Sequence, residues 1–390
     1  MKPAERMAEI PPSSTLSVLR LAKELEAQGR RIIHLEVGEP DFDTPEHIKR
    51  AAEEALRKGM TKYTPSPGLP RLREKISEKI CEEKGVDLKT ENVIVTPGAK
   101  HAIFCALVSI LDPGDEVVIP SPCWTYEAMV RIAGGRPVFL RTDEDGGFLP
   151  RPEDLEKRIS GRTKLILLNY PSNPTGAVID ERTLAEIVQI AKKHRLWILS
   201  DEVYEKLVYE RRSASILDFP DAFDRSVYVS GFSKTYAMTG WRLGYAVAPA
   251  ALVQEMIKIQ EATTSCVPGF VQMAGIAALD GPQDFIEMVR REYWTRRDLI
   301  VYLLNSIEGV SCRKPEGAFY AFPNMGELGV PSLEFCRMLL QEEGVAAVPG
   351  SGFGPGGEGH IRVSYATSPD NIREGVEKIR VLAERVRRER

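Results

Sequence analysis

Short apolar runs rich in β-branched residues alternate with longer helical patterns from Asn92 onward. Seven runs predict strands, at residues 93–96, 116–119, 137–141, 165–169, 197–200, 226–229 and 243–247. Helical periodicity fills the intervals between them, for example at residues 100–111 and 182–194. Strands that alternate with helices form βαβ units, so the sequence predicts an α/β fold with a mainly parallel central sheet flanked by helices.

A second region follows from residue 284. It carries long amphipathic patterns at 285–305 and 371–388 and strand patterns at 318–322, 345–348 and 361–365. These features predict a smaller α+β domain. Proline-rich segments at 10–14 and 38–45 indicate an N-terminal arm that crosses between the two parts. We therefore expect a large domain of residues 44–283 and a small domain of residues 284–390, with residues 1–43 as the arm.

Composition excludes several classes of protein. The chain has 390 residues and a net charge of −4 with well-mixed signs, which does not suit a nucleic acid or an anionic membrane. The six cysteines form no C-x-x-C pair and the five histidines are scattered, so neither disulfides nor a metal site is expected. The first residues lack the apolar segment of a signal peptide. The chain is expected to be cytoplasmic.

A glycine-rich run at residues 348–359 superficially resembles a nucleotide-binding loop. Pro355 interrupts it, and a strand pattern follows where a dinucleotide loop would open a helix. The run is therefore interpreted as a mobile surface loop.

Polar and aromatic side chains collect just after the predicted strands. Ligands of open α/β sheets bind beyond the carboxyl ends of the strands, so these residues predict one site. P-G-A-K at 97–100 opens a helix, where backbone N–H groups favour an anion such as phosphate. The other strand ends supply Trp124, Asn173, Asp201 with Tyr204, and a segment that holds Ser230, Ser233, Lys234 and Arg242.

Each of these residues has a plain structural explanation when it is taken alone. A lysine is usually solvated, an aspartate after a strand often caps a helix, and a tryptophan there is often part of the core. Together they provide an amine, a carboxylate, an aromatic plate and an anion site. Pyridoxal phosphate needs a lysine for its imine, an acid partner for its pyridine nitrogen and a phosphate site. The combination predicts this cofactor.

The chain also resembles a known family. The motifs G-E-P-D-F, Y-T-P-S-P-G-L-P, N-P-T-G, D-E-V-Y, S-K-T-Y-A-M-T-G-W-R-L-G-Y, P-E-G-A-F-Y and R-V-S-Y-A occur in the order found in class I/II aminotransferases of pyridoxal-phosphate fold type I, and they are similar to the aspartate aminotransferase branch. The likeness runs from about residue 38 to residue 365. It implies a homodimer with shared active sites.

The resemblance implies a role for each matching position. Lys234 would form the Schiff base, Asp201 would pair with the pyridine nitrogen, and Tyr204 and Asn173 would hydrogen-bond the phenolic oxygen. The cofactor ring would lie between Trp124 and Val203, and its phosphate would be held by Gly98, Ala99, Lys100, Arg242 and either Ser230 or Ser233. Tyr63 would contact the phosphate in the neighbouring subunit. Arg362 and the backbone of Gly38 would hold the substrate carboxylate, next to Trp124 and Asn173.

Two positions depart from the family pattern. Only Thr125 separates Trp124 from Tyr126, whereas relatives commonly have two residues there, so no role is carried over to Tyr126. Gly231 stands where the family has a serine, three residues before the lysine, which leaves the choice between Ser230 and Ser233 open.

The implied reaction is ping-pong transamination from an L-amino acid to a 2-oxo acid such as 2-oxoglutarate. Aspartate or a related donor is favoured, with Lys100 as a candidate for the distal carboxylate. Alanine, aromatic and branched-chain donors are alternatives, and so is C–S β-lyase chemistry on the same residues. A ligand-sensing role in a transcription regulator is a further alternative, against which the short N-terminal segment argues.

Overall fold

The computed structural model describes residues 4–11 and 14–389. The strands of this part of the chain are β1 (Ile33–His34), β2 (Val93–Thr96), β3 (Glu116–Ser121), β4 (Arg136–Arg141), β5 (Thr163–Asn169), β6 (Trp197–Asp201), β7 (Ser226–Gly231), β8 (Gly244–Val247), β9 (Tyr320–Ala321), β10 (Val345–Ala346), β11 (Val348–Pro349) and β12 (Ile361–Ser364). The α-helices are α1 (Ser14–Ala27), α2 (Glu46–Arg57), α3 (Pro70–Lys84), α4 (Ala99–Ile110), α5 (Tyr126–Ile132), α6 (Pro152–Arg158), α7 (Glu181–His194), α8 (Phe232–Thr235), α9 (Ala250–Thr263), α10 (Gly269–Asp280), α11 (Asp284–Asn305), α12 (Ser332–Met338) and α13 (Pro369–Arg388).

Seven strands form the central sheet, in the order β2-β8-β7-β6-β5-β3-β4. Strand β8 runs antiparallel to both of its neighbours, and the other neighbouring pairs are parallel. The prediction of a mainly parallel sheet flanked by helices is therefore confirmed. The parallel strands β3, β5, β6 and β7 bring their carboxyl ends to one edge, as such a sheet requires.

Apolar side chains on both faces of this sheet are buried. Val95, Ile166 and Ile198 belong to one core cluster, while Leu165 and Leu199 belong to another. Alternation along a strand sends successive side chains to opposite faces, which explains the division. A strand covered on both faces reads as a continuous apolar run, and that is how the sequence revealed these strands.

A separate core lies in the C-terminal region. It is built mainly on α11, α13 and the three-stranded sheet β11-β12-β9. The strand predicted at 318–322 shrinks to two residues because Ala318 adopts a left-handed conformation with φ +56°. The strand predicted at 345–348 is split at Ala347 into β10 and β11, which belong to different sheets. The proposed domain limits at residues 44 and 284 stay a prediction.

The N-terminal segment connects the two regions. Strand β1 pairs in parallel with β10. Farther along, Asp41 binds Arg296 of α11 at 2.7 Å, and the Thr44 hydroxyl donates to the carbonyl of Ala237 at 2.7 Å. Residues 38–45 therefore contact both α11 and the segment after α8, while the division into an arm and two domains stays a prediction. The predicted segment at 10–14 falls partly outside the described residues.

The interpretation of residues 348–359 as a surface loop holds only in part, since Ser351, Pro355 and Glu358 are exposed but other residues of the loop are packed inside. Phe353 is 2% exposed, and its carbonyl accepts from the backbone N–H of Cys123 at 2.9 Å. Gly350 and Gly357 cross so closely that a Cβ on Gly350 would lie 2.0 Å from the Gly357 carbonyl oxygen. The glycines thus allow one backbone to cross another within a packed loop.

Among the described residues, we find no helix whose length and apolar character would let it cross a bilayer.

Candidate active site

A cavity of about 350 Å³ opens at the carboxyl ends of the central strands. The first turns of α1 contribute Thr15, Leu16 and Leu19 to its wall. The segment after β1, the start of α4, the start of α5, the ends of β5 and β6, α8 and the segment that follows it, β9 and β12 also line the cavity. The volume lies within the range of small-molecule sites, which is about 300–1,000 Å³.

Lys234 projects into this cavity from α8, directly after β7. Its Nζ donates to the carbonyl oxygen of Gly38 at 2.5 Å and lies 5.9 Å from the centre of the Tyr204 ring. Burial of the amine lowers the pKa of Lys234 to about 8. A large fraction of the amine is therefore neutral near pH 8, as a nucleophile or base requires.

Asp201 ends β6 and is only 4% exposed. The Tyr126 hydroxyl donates to its Oδ2 at 2.6 Å, and the Val203 N–H donates to its Oδ1 at 3.3 Å. Burial raises the pKa of Asp201 to about 6, and the hydrogen bond from Tyr126 opposes that rise. At neutral pH the site therefore holds a buried carboxylate that can pair with a cation.

Arg362 lies on β12 and is 1% exposed. Its Nη1 donates to Oδ1 of Asn173 at 3.0 Å, and its Nη2 donates to the backbone oxygen of Glu36 at 2.5 Å. Its Nε has no hydrogen-bond partner among the described residues. A buried guanidinium with an unused donor is suited to a carboxylate ligand.

Two tyrosines line the wall between these groups. The Tyr204 and Tyr320 hydroxyls lie 2.9 Å apart, and the guanidinium of Arg362 stacks 4.5 Å from the centre of the Tyr320 ring. Burial raises the pKa of Tyr204 well above its ordinary value, so the phenol stays protonated. A Cβ on Gly38 would lie 2.8 Å from the Tyr320 hydroxyl, so a glycine is needed for this close approach.

The start of α4 forms the opposite wall. Gly98 precedes the helix with φ +83°, and a Cβ there would meet Nη2 of Arg242 at 2.5 Å. Lys100 places its Nζ 4.6 Å from the centre of the Trp124 ring, and Ser233 faces the same space. Two cationic groups and a helix N-terminus favour an anion at this wall.

The structure brings most of the predicted residues together. Those that line the cavity are Gly38, Ala99, Lys100, Trp124, Asn173, Asp201, Val203, Tyr204, Ser233, Lys234, Arg242 and Arg362. Gly98 adjoins them through its contact with Arg242. Ser230 does not join them: it lines a separate small cavity beside Tyr245. Tyr63 also lies outside, with 87% of its surface exposed.

Sequence reasoning missed several residues of the site. Tyr126 was given no role, yet it supplies a hydrogen bond to Asp201. Asn169 donates to the Asp201 backbone oxygen at 3.0 Å and accepts from the Asn173 N–H at 3.0 Å. The position of Asn169 at the end of β5 could have indicated from the sequence that it belongs to the site. Nothing in the sequence indicated that Glu36 lines the cavity.

Comparison with known proteins relates this architecture to one family. The model for "Aminotransferase class I and II" matches residues 30–379. An aspartate aminotransferase of Geobacillus stearothermophilus is 43% identical over 387 residues, which cover 97% of this chain and 98% of the relative. An aspartate/prephenate aminotransferase of Cereibacter sphaeroides is 42% identical, with 97% and 98% covered.

Solved structures agree with the sequence comparison. The aspartate aminotransferase of Thermus thermophilus with maleate superposes with a TM-score of 0.94 at 40% identity, covering 98% of this chain and 100% of that one. The aspartate aminotransferase of Rhizobium meliloti also has a TM-score of 0.94 at 40% identity, with 99% of both chains covered. The family model, the near full-length sequence similarity and the fold agree, and the chain belongs to the class I and II aminotransferase family.

Proposed function

We propose that this aminotransferase uses pyridoxal phosphate in the cavity and transfers an amino group from aspartate, or a related L-amino acid, to a 2-oxo acid such as 2-oxoglutarate. The observation that carries the proposal is the convergence of the Lys234 amine, the Asp201 carboxylate and the Arg362 guanidinium on one cavity. The residues fit the cofactor, because its aldehyde, pyridine nitrogen and phosphate each find a group of matching chemistry. When bound, the cofactor would withdraw the electrons released at the substrate Cα.

The anion-binding wall is assigned to the cofactor phosphate. Gly98, Ala99 and Arg242 offer backbone N–H groups and a guanidinium there. Ser233 is the serine that faces this wall, so we assign it the hydroxyl contact. Phosphate binding at a helix start needs such N–H groups and a nearby cation.

Asp201 is assigned to the pyridine nitrogen. Above pH 6 its carboxylate is ionised, and a buried anion stabilises a proton on the nitrogen that it faces. Tyr126 holds the carboxylate in place and favours its ionised form. Asn173 and Tyr204 are the polar side chains assigned to the phenolic oxygen.

Arg362 is assigned to the substrate α-carboxylate. Asn173 and the Glu36 backbone oxygen fix the guanidinium plane, which leaves Nε to donate. Arg362 and Lys234 line the same cavity, so a substrate held by Arg362 would have its Cα within the space that the amine faces. Lys234 would act there as the base that accepts and returns the Cα proton, as its lowered pKa allows.

The preference for aspartate rests on two observations. Two curated relatives, 43% and 41% identical, are named aspartate aminotransferases. Lys100 lies at the cavity wall beside Trp124, where it could meet a distal carboxylate. The apolar residues Leu16, Leu19 and Ile103 also line the cavity, so larger donors have a surface to contact.

We further propose a homodimer in which Tyr63 reaches the cavity of the neighbouring subunit. Tyr63 lies outside its own chain's cavity and projects from a groove formed with Met60, Cys266 and Phe270. A cytoplasmic location is also inferred, since all six cysteines are described and all are free thiols.

Donor profiling tests the function. Purified protein loaded with pyridoxal phosphate is offered single amino acids with 2-oxoglutarate, and glutamate is measured while the cofactor absorbance is followed. We expect turnover with aspartate, and none in Lys234→Ala. Steady pyruvate release from a cysteine conjugate without an acceptor would instead establish a lyase. A Lys100→Ala variant that reduced aspartate and alanine turnover equally would remove the distal-carboxylate role.

A further inference from the structure

Glu36 is a carboxylate buried beside the arginine assigned to the substrate. Its side chain has no solvent exposure, and its backbone oxygen accepts from Arg362. Its Oε1 contacts Nδ1 of His34 at 2.8 Å, while its Oε2 has no hydrogen-bond partner among the described residues. Burial lowers the pKa of Arg362, and the charge on Glu36 is one of the interactions that oppose this lowering.

Two anions therefore compete for Arg362 once substrate binds. One is the α-carboxylate of the substrate, and the other is the carboxylate of Glu36. A buried carboxylate without a cationic partner is costly, so Glu36 would pair with the Arg362 guanidinium if no other cation contacted it. Arg362 would then meet the substrate with its charge already compensated.

His34 supplies the alternative partner. Its Nε2 contacts Oε1 of Glu26 on α1 at 3.0 Å, so the imidazole bridges two carboxylates. Hydrogen bonding to Glu36 raises the pKa of His34 to about 9. The ring is thus an imidazolium at neutral pH.

Lys23 on α1 is a further cation whose charge interacts with Glu36. Lys23 is bound to the second oxygen of Glu26 at 2.8 Å. The strand paired with β1 presents Val345 and Ala346, which carry no charge. Among the described residues, His34 is the cation that contacts the Glu36 carboxylate directly, while Lys23 and Arg362 interact with its charge through space.

We propose that His34 is a positioning residue for carboxylate recognition: its imidazolium neutralises Glu36, so that Arg362 keeps its charge for the substrate. The proposal rests on the assignment of Arg362 to the α-carboxylate. Because Glu26 lies in α1, the same imidazolium also links α1, which lines the cavity, to the segment that carries Gly38. The His34 side chain therefore affects both carboxylate affinity and the position of α1.

The test measures maleate binding to the cofactor-loaded protein by calorimetry. Maleate carries no amino group and cannot be transaminated, so binding is read without turnover. We expect His34→Gln to weaken maleate binding about tenfold. We expect the double variant His34→Gln, Glu36→Gln to bind within about threefold of the wild type, because removal of the competing anion removes the need for the imidazolium.

A merely structural role for His34 predicts no such rescue. His47→Gln is the matched control, since His47 on α2 is also partly buried and, like His34, does not itself line the cavity, and we expect wild-type binding. Cofactor loading and thermal unfolding are measured for each variant. If His34→Gln fails to fold, Glu36→Gln alone decides, because the proposal requires it to bind maleate at least as tightly as the wild type.

The pH profile gives an independent readout. The ratio of the dissociation constants of the wild type and the double variant cancels the titration of shared groups. We expect this ratio to rise between about pH 8 and pH 10, as His34 loses its proton. A flat ratio, or a double variant no better than His34→Gln, would overturn the proposal. Failure of the wild type to load cofactor or bind maleate would instead overturn the proposed function.

Discussion

The hydrogen bond from Tyr126 to Asp201 leads to a quantitative prediction for Tyr126→Phe. The substitution removes a 2.6 Å bond to a carboxylate that is 4% exposed and leaves the ring in place. Hydrogen bonds to charged groups contribute about 1.5–3 kcal/mol, and one pKa unit corresponds to about 1.4 kcal/mol. The bond favours the ionised form, so its loss raises the pKa of Asp201 by about one to two units.

The expected consequence is weaker cofactor binding near neutrality. With a pKa of about 6, about nine-tenths of Asp201 is ionised at pH 7. In the variant, between about one-tenth and one-half of the carboxylate would be ionised at that pH. The fraction of Asp201 that can pair with a protonated pyridine nitrogen therefore falls, and this fraction recovers as the pH rises.

Cofactor titration of the apoprotein from pH 5 to 9 measures this effect. The midpoint of the pH dependence should lie about one to two units higher in Tyr126→Phe than in the wild type. Tyr170→Phe is the control, because Tyr170 is also buried but donates to the backbone oxygen of Phe148. Midpoints that agreed within about 0.3 units would refute the assignment of Tyr126.

Three further predictions concern the other walls of the site. Gly98→Ala should weaken cofactor binding at least tenfold, because φ is +83° and the new Cβ would lie 2.5 Å from Arg242; equal affinity in a cofactor titration would contradict this. Arg362→Lys should raise the KM for aspartate about 10- to 150-fold with intact cofactor loading, since a fixed planar donor is lost, and steady-state kinetics that left the KM unchanged would disprove it. A heterodimer of a Tyr63→Phe subunit and a Lys234→Ala subunit has one complete site, which combines Lys234 of the first with Tyr63 of the second, so a mixture of the two variants should be more active than the average of the two homodimers. An activity equal to that average would contradict the shared site.

The sequence predicted the main groups of the site because sheet topology does most of the positioning. Asp201 is the last residue of β6, and Lys234 lies three residues beyond the end of β7. Those strands are parallel neighbours, so their carboxyl ends must lie side by side. Knowledge of the strand pattern was therefore sufficient to place an acid and an amine in one cavity.

Details that depend on where a strand ends were harder to predict. Strand β7 was expected to end at Val229, but pairing with β8 continues it through Ser230 and Gly231. The extra residues keep Ser230 in the sheet beside Tyr245, and they leave Ser233 to face the cavity. A difference of two residues decides which serine is available.

Contacts between distant segments were beyond sequence reasoning. His34 and Glu36 come from a two-residue strand and its exit, while Arg362 comes from near the opposite end of the chain. No periodicity links them, and each alone is typical of an ordinary surface or edge position. Only the folded arrangement shows that they share one electrostatic environment.

The packed glycine-rich loop limits how the cavity can adapt to its substrate. Phe353 in that loop is bound through its carbonyl to Cys123, next to Trp124, and its ring lies 5.3 Å from the Arg362 guanidinium. The stacking surface and the carboxylate anchor are thus linked by a short, buried bridge, and the spacing between them is rigid. Accommodation of longer or shorter amino acids must therefore come from the α1 side, where Leu16 and Leu19 line the cavity.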